Sequence, residues 1–345
     1  MRVGRTDDGG VSTWSAWAAI CVWAAGVVGC GGPQPSERYS HVGVLNAEET
    51  HLFAAGGADA DGPMSDAWRY DIAADRWEET DPLPIPLYRA TAVQIDDMAY
   101  VYGGTTSGFI ESDRLYAWDL SDGSWEEVHA SSTTIPTGRY KHAASVWGWT
   151  PEGTDAGFVV SGGRNNDGET VTFDDLWHFD VDASTWTEVE TNLAVGDRYR
   201  HGLAWYDGAL YHHGGLTGDG VRLDTLWSLD PDSGVWIDRV TSDEAPAKRA
   251  SHTMIAMDNG LLVWGGNTED AEVWHFDPFE NAWTAISTEE GPAHRDAHVA
   301  ALTADEESLY VFGGDLFDED IGNFVNDLWR FDLKAGTWTE LQGFD

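Results

Sequence analysis

Leu309-Tyr-Val-Phe-Gly-Gly314, then Leu328-Trp-Arg-Phe-Asp332, then Trp338-Thr-Glu-Leu341 is the stretch that decides the fold. An apolar run stops at a glycine pair, and an aromatic follows with a Trp nine residues beyond it, which reads as short strands cut by turns. The order recurs. Glycine pairs stand at Gly56-Gly57, Gly103-Gly104, Gly162-Gly163, Gly214-Gly215, Gly265-Gly266 and Gly313-Gly314, spaced 47, 59, 52, 51 and 48 residues apart. The downstream aromatics are Trp68 and Trp77, Tyr116 and Trp125, Trp177 and Trp186, Trp227 and Trp236, Trp274 and Trp283, Trp329 and Trp338. Six repeats of about fifty residues describe units that bury their faces only against one another.

Each unit reads as four antiparallel strands, a to d, with strand a opened by an Arg-led segment. These segments are Arg38-Tyr-Ser-His41, Arg89 with Ala92 in the histidine place, Arg139-Tyr-Lys-His142, Arg198-Tyr-Arg-His201, Arg249-Ala-Ser-His252 and Arg295-Asp-Ala-His298. A tight c–d turn near Val181-Asp182 would set Trp177 roughly opposite Trp186, a cross-strand aromatic pair. Glycine suits the end of strand b, because it tolerates positive φ and lets the next unit approach without a Cβ between.

These elements, over residues 38 to 341, resemble the kelch repeat. The resemblance implies an all-β fold, a six-bladed kelch-type β-propeller with four strands per blade. The first unit begins at strand a and the last ends at strand d, so closure is expected by face packing between blades one and six, without strand exchange. Kelch propellers bind partners on the rim of the d–a and b–c loops, so that rim is the candidate site: Arg38, His41, Arg89, Arg139, His142, Arg198, His201, Arg249, His252, Arg295 and His298. Two readings stand side by side. The residues brace loop carbonyls and carboxylates in every blade, or they form a basic, aromatic-lined pocket for an acidic peptide or anionic sugar.

Charge narrows the partners. Asp and Glu number 60 against 19 Lys and Arg, a net charge of −41, and the lysines are only Lys141, Lys248 and Lys334. With no basic stripe to displace phosphate counterions, nucleic acid and anionic lipid headgroups are excluded as partners of the general surface. The Asp-rich loops Asp59-Ala-Asp61-Gly62 and Asp315 to Asp320 lack the spacing of a calcium loop and read as solvated turns. Trp147 and Trp149 in the long a–b connection read as a cover for a blade end.

The leader carries a separate signal. Residues 14 to 28 form an uncharged apolar run too short to span a membrane, ending in Val27-Val28-Gly29-Cys30, which resembles a bacterial lipobox. That resemblance implies a signal peptide over 1–29, acylation of Cys30 and a lipidated tether over 30–37 before the propeller at 38–345. Gly31 stands where a retention signal would place Asp, implying the outer membrane or cell surface, with contact to the membrane through the lipid alone. With Cys21 in the leader and Cys30 acylated, the folded part holds no thiol for a disulfide, a metal or a Tyr–Cys radical cofactor. No nucleophile elbow, P-loop, HExxH or dinucleotide fingerprint occurs, and no catalytic residue, metal or cofactor is assigned. The expected function is a monomeric lipoprotein binding module with a protein or glycan ligand. The other class kept open is a sugar-modifying enzyme, such as a sialic-acid-type epimerase with an Arg-lined pocket.

Overall fold

The computed structural model describes residues 32–148, 157–166, 168–192, 195–239, 244–286, 291–316 and 324–343. The leader, Cys30, Trp149 and Phe317 to Asp320 lie outside them. Six four-stranded antiparallel sheets follow in chain order, each made of strands consecutive in their repeat. They are blades 1 (42–80), 2 (91–128), 3 (143–188), 4 (202–238), 5 (253–286) and 6 (299–342). In blade 1 strand a is Val42–Leu45, b His51–Ala55, c Ala67–Asp71 and d Arg76–Thr80. Strand a of each blade packs beside strand a of both neighbours, including Val42–Leu45 against Val299–Leu302, so the ring closes.

The core is six interblade layers. Phe53 of blade 1 meets Trp118 of blade 2, for example, and Leu52 and Trp77 of blade 1 meet Tyr310, Phe312 and Leu328 of blade 6. The strand-d Trp reaches back to the ring that precedes the glycine pair of the previous blade: Trp77 to Phe312 at 4.7 Å, Trp186 to Tyr102 at 5.0 Å, Trp283 to His213 at 5.3 Å and Trp338 to Trp264 at 5.1 Å. Aromatic pairs at these separations add to the area they bury. Among the described residues no strand is exchanged between blades 6 and 1. Their seam carries side-chain ties as well, from Asn326 to the Pro35 carbonyl at 3.0 Å and from Gln342 to Asp75 at 2.8 Å.

The c–d register differs from the expected one. Trp186 faces Phe179, and Trp177 faces Glu188. The turn holds four residues rather than two, because the Asp180 carboxylate accepts the Ala183 N–H at 2.8 Å and Ser184 takes positive φ. Asp71, Asp230, Asp277 and Asp332 cap their turns in the same way. The nine-spaced aromatics are therefore diagonal neighbours rather than a facing pair.

The glycine pairs hold the blades together. The second glycine donates its N–H to the carbonyl that opens the next blade: Gly57 to Leu87, Gly104 to Arg139, Gly163 to Arg198, Gly215 to Arg249, Gly266 to Arg295 and Gly314 to Arg38, all at 2.8–2.9 Å. Both glycines lie at positive φ. A Cβ on Gly56 would fall 2.5 Å from the Leu87 carbonyl, and one on Gly57 would fall 2.8 Å from the His41 Cβ. Strain and collision thus exclude side chains at both positions.

Candidate binding site

Strands alternate in direction, so the d–a and b–c loops share one rim and surround one end of the central channel. Of four successive positions in each d–a segment, the first, third and fourth have distinct jobs. In the first stand Arg38, Arg139, Arg198, Arg249 and Arg295, all buried. Their guanidinium groups turn into their own blade. Arg38 donates to the Gly56 carbonyl at 3.1 Å and to both Asp66 oxygens at 3.0 and 2.6 Å. Arg139 makes the same fork to Gly162 and Asp175, and Arg295 to Gly313 and Asp327. Arg249 binds Gly265 and Asp270. The carboxylate also accepts the indole N–H of the strand-c Trp, as Asp66 does from Trp68 at 2.6 Å. Arg198 is the exception, with Thr225 in the aspartate place and the Val195 carbonyl as a further acceptor; burial lowers its pKa to about 10. This geometry is that of the bracing reading.

Blade 2 breaks the pattern twice over. Backbone pairing of Tyr88 with Thr105 aligns Leu87, not Arg89, with the bracing arginines, and Ala90, not Ala92, with the histidines. The aspartate is gone too. Arg114 occupies its place and turns outward to Glu127 at 3.2 Å. A lone buried charge would be costly, so Leu replaces one partner where the other is absent.

In the fourth position stand His41, His142, His201, His252 and His298, which line the channel beneath its mouth around a cavity of about 280 Å³. Four of them rest on the ring before the previous blade's glycine pair: His41 on Phe312, His142 on Tyr102, His252 on His213 and His298 on Trp264. The seam between blades 1 and 2 lacks both partners of this contact, with Ala90 facing blade 1, whose strand b ends in Ala55. Burial, then the neighbouring arginine, lowers the His142 and His298 pKa values to about 3, and burial also depresses those of His41, His201 and His252. Neutral at neutral pH, these rings offer no charge to a ligand.

The third position faces the opening, and the Arg-x-x-His pattern did not single it out. It holds Ser40, Arg89, Lys141, Arg200, Ser251 and Ala297, all with φ between 53° and 62°. Each donates its N–H to the carbonyl at the same position of the blade before, with Ser40 donating to Ala297, which forms a closed belt of six hydrogen bonds of 2.7–3.1 Å. Six non-glycine residues in the left-handed region are uncommon, and the belt stabilises what the conformation costs.

Three consecutive blades therefore place Arg89, Lys141 and Arg200 around one half of the mouth, while the other half carries Ser, Ser and Ala. Among the described residues neither Arg89 nor Lys141 has a carboxylate within 4 Å; Arg200 meets Asp296 at 3.3 Å. Instead Arg89 lies over the Tyr88 ring at 4.4 Å and the Tyr140 ring at 5.6 Å, and Arg164 lies over Tyr199 at 4.3 Å. Burial, reinforced by the charges of Arg200 and Arg89, pulls the Lys141 pKa down to about 6. Burial pushes Asp296 up to about 7. The mouth gathers basic side chains on a protein of net charge −41. Among the described residues no group of three or more His, Cys, Asp or Glu is placed to hold a metal.

Comparison with known proteins agrees with this architecture. The chain is 29% identical over 214 residues to the serine/threonine-protein phosphatase BSL2 of Arabidopsis thaliana, covering 54% of this chain and 20% of that one. It is 23% identical over 314 residues to the human Kelch domain-containing protein 3, covering 82% and 78%, and 24% identical over 324 residues to human host cell factor 1, covering 83% and 15%. It spans about a fifth of the phosphatase and 31% of the Drosophila leucine-zipper-like transcriptional regulator 1 homolog. The profile described as the KLHDC2/KLHL20/DRC7 Kelch-repeats domain matches residues 22–215 and again 154–344. With six four-stranded blades, a glycine-pair seam in each and that match across most of its length, the chain belongs to the kelch-repeat β-propeller family.

Proposed function

We propose that the propeller is a protein-binding module whose channel mouth receives an acidic group of its partner. The observation that carries this reading is the arc of Arg89, Lys141 and Arg200, three basic side chains on consecutive blades that meet, among the described residues, one carboxylate within 4 Å, that of Asp296. Basic side chains gathered at a concave mouth attract and orient an anion. An anion seated there would also restore the charge of Lys141. Fluorescence anisotropy with a short labelled Glu-rich peptide tests it. Saturable binding that weakens with salt and is lost in an Arg89→Asn/Arg200→Asn variant is the expected result; binding unchanged in that variant places the ligand elsewhere.

We further infer that the module is held at a membrane surface by a lipid on Cys30, with residues 31–37 as its tether, on the support of the apolar run and the Val27-Val28-Gly29-Cys30 sequence. Labelled palmitate should enter the native chain and not a Cys30→Ser variant. Equal labelling of both removes the anchor from this reading.

A further inference from the structure

The rim is uneven in a second respect. Of the large hydrophobic side chains exposed among the described residues, five lie on the rim loops of blades 2 to 4: Phe109, Ile110, Ile135, Val171 and Val221. Phe109 is 74% exposed and Ile110 65%. They are not on slack loops. Thr106 accepts the Phe109 N–H at 3.2 Å and donates to Ile110 at 2.9 Å, so a tight hairpin holds the pair outward with Phe109 at φ 61°. Blade 4 repeats the device, Thr217 pairing with Val221 at 3.0 Å, and Val171 sits in the two-stranded ribbon that Arg164–Asn165 forms with Val171–Thr172. Water gains nothing from apolar side chains held out by main-chain bonds, so such tips mark a contact surface.

These tips belong to the same three blades that supply Arg89, Lys141 and Arg200, and blade 3 adds the Arg164 guanidinium over the Tyr199 ring. We propose that blades 2 to 4 form one continuous docking surface for a segment of another protein that is both acidic and apolar. Its carboxylates enter the mouth and its large apolar side chains lie across the hairpin tips. A second copy of this chain is a poor occupant, since two bodies of charge −41 repel. The proposal rests on the mouth reading above and adds the apolar half of the ligand and the side on which it lies.

Selection from a phage-displayed library of random peptides, run in parallel on the native propeller and on a Phe109→Asn/Ile110→Ser/Val171→Ser/Val221→Ser variant, tests it. All four side chains are exposed and Asn tolerates the left-handed backbone at 109, so the variant should keep the native melting temperature. Peptides selected on the native protein should be enriched in Asp or Glu together with Leu, Ile, Phe or Trp. On the variant the acidic enrichment should remain and the apolar enrichment vanish, and individual native-selected peptides should bind about tenfold more weakly. Acidic enrichment alone on both proteins overturns the docking surface and leaves the mouth reading standing. Absence of acidic enrichment on the native protein overturns both.

Discussion

Two rings of side chains lie two residues apart in the sequence and behave oppositely. The bracing ring, Arg38, Arg139, Arg198, Arg249 and Arg295, repeats in five of six blades and is buried. The mouth ring repeats a backbone conformation and varies its side chains: Ser40, Arg89, Lys141, Arg200, Ser251 and Ala297. A residue that every blade needs serves the blade; where the backbone carries the architecture by itself, the side chain is free to serve a ligand. Charge counting alone assigns both rings to one site, and only the direction of the guanidinium separates them.

The largest effect expected on either side of this comparison is in the bracing ring. Arg295→Ala strands Asp327, which is 5% exposed, and should cost about 3–5 kcal/mol in urea unfolding. Arg198→Ala strands only carbonyls and the Thr225 hydroxyl, so its loss should be about 1–3 kcal/mol. Equal losses at the two positions would mean that the aspartate pairing is not what the brace contributes.

Acid sharpens the comparison from the other direction. His142, His213 and His298 have folded pKa values lowered to about 3 by burial, so the unfolded chain takes up protons that the folded chain refuses. Their stabilisation is present above about 6.5 and is lost as the pH falls toward 3, by up to about 1.4 kcal/mol per pH unit for each ring. Melting temperature should therefore drop steeply between pH 6.5 and 4. A flat profile would show that these rings protonate without unfolding.

At the mouth the expected effects fall on binding. Arg89→Asn keeps a residue suited to φ 62° and removes only cation–π contacts, so stability should change by less than about 1 kcal/mol while Glu-rich peptide affinity drops about tenfold. Smaller still, affinity for that peptide should rise as the pH falls from 8 toward 6, because Lys141 (about 6) gains charge and Asp296 (about 7) loses it. Asp296→Asn should remove the upper step of that profile; a profile unchanged by the substitution would take Asp296 out of the site.

Much of this was legible in one dimension. Six glycine pairs and six nine-residue aromatic spacings, through their resemblance to the kelch repeat, pointed to an all-β ring of six blades, which the described residues close without strand exchange, because each unit must repeat the contacts that let it stack on its neighbours. The Asp at the end of strand c is equally visible as a turn cap, and the four-residue turn it caps sets Phe179 opposite Trp186. Other features had no local signal. Arg89 looks like the arginine of its repeat, and only the pairing of Tyr88 with Thr105 shows that it stands two positions further on, at the mouth. The burial of Arg38, Arg139, Arg249 and Arg295 depends on aspartates 21 to 36 residues away whose reach is set by how the b–c loop returns. Covalent spacing repeats because each blade solves the same packing problem. Which charge is paired and which is left facing the opening depends on contacts between chain-distant segments, and those exist only once the ring has closed.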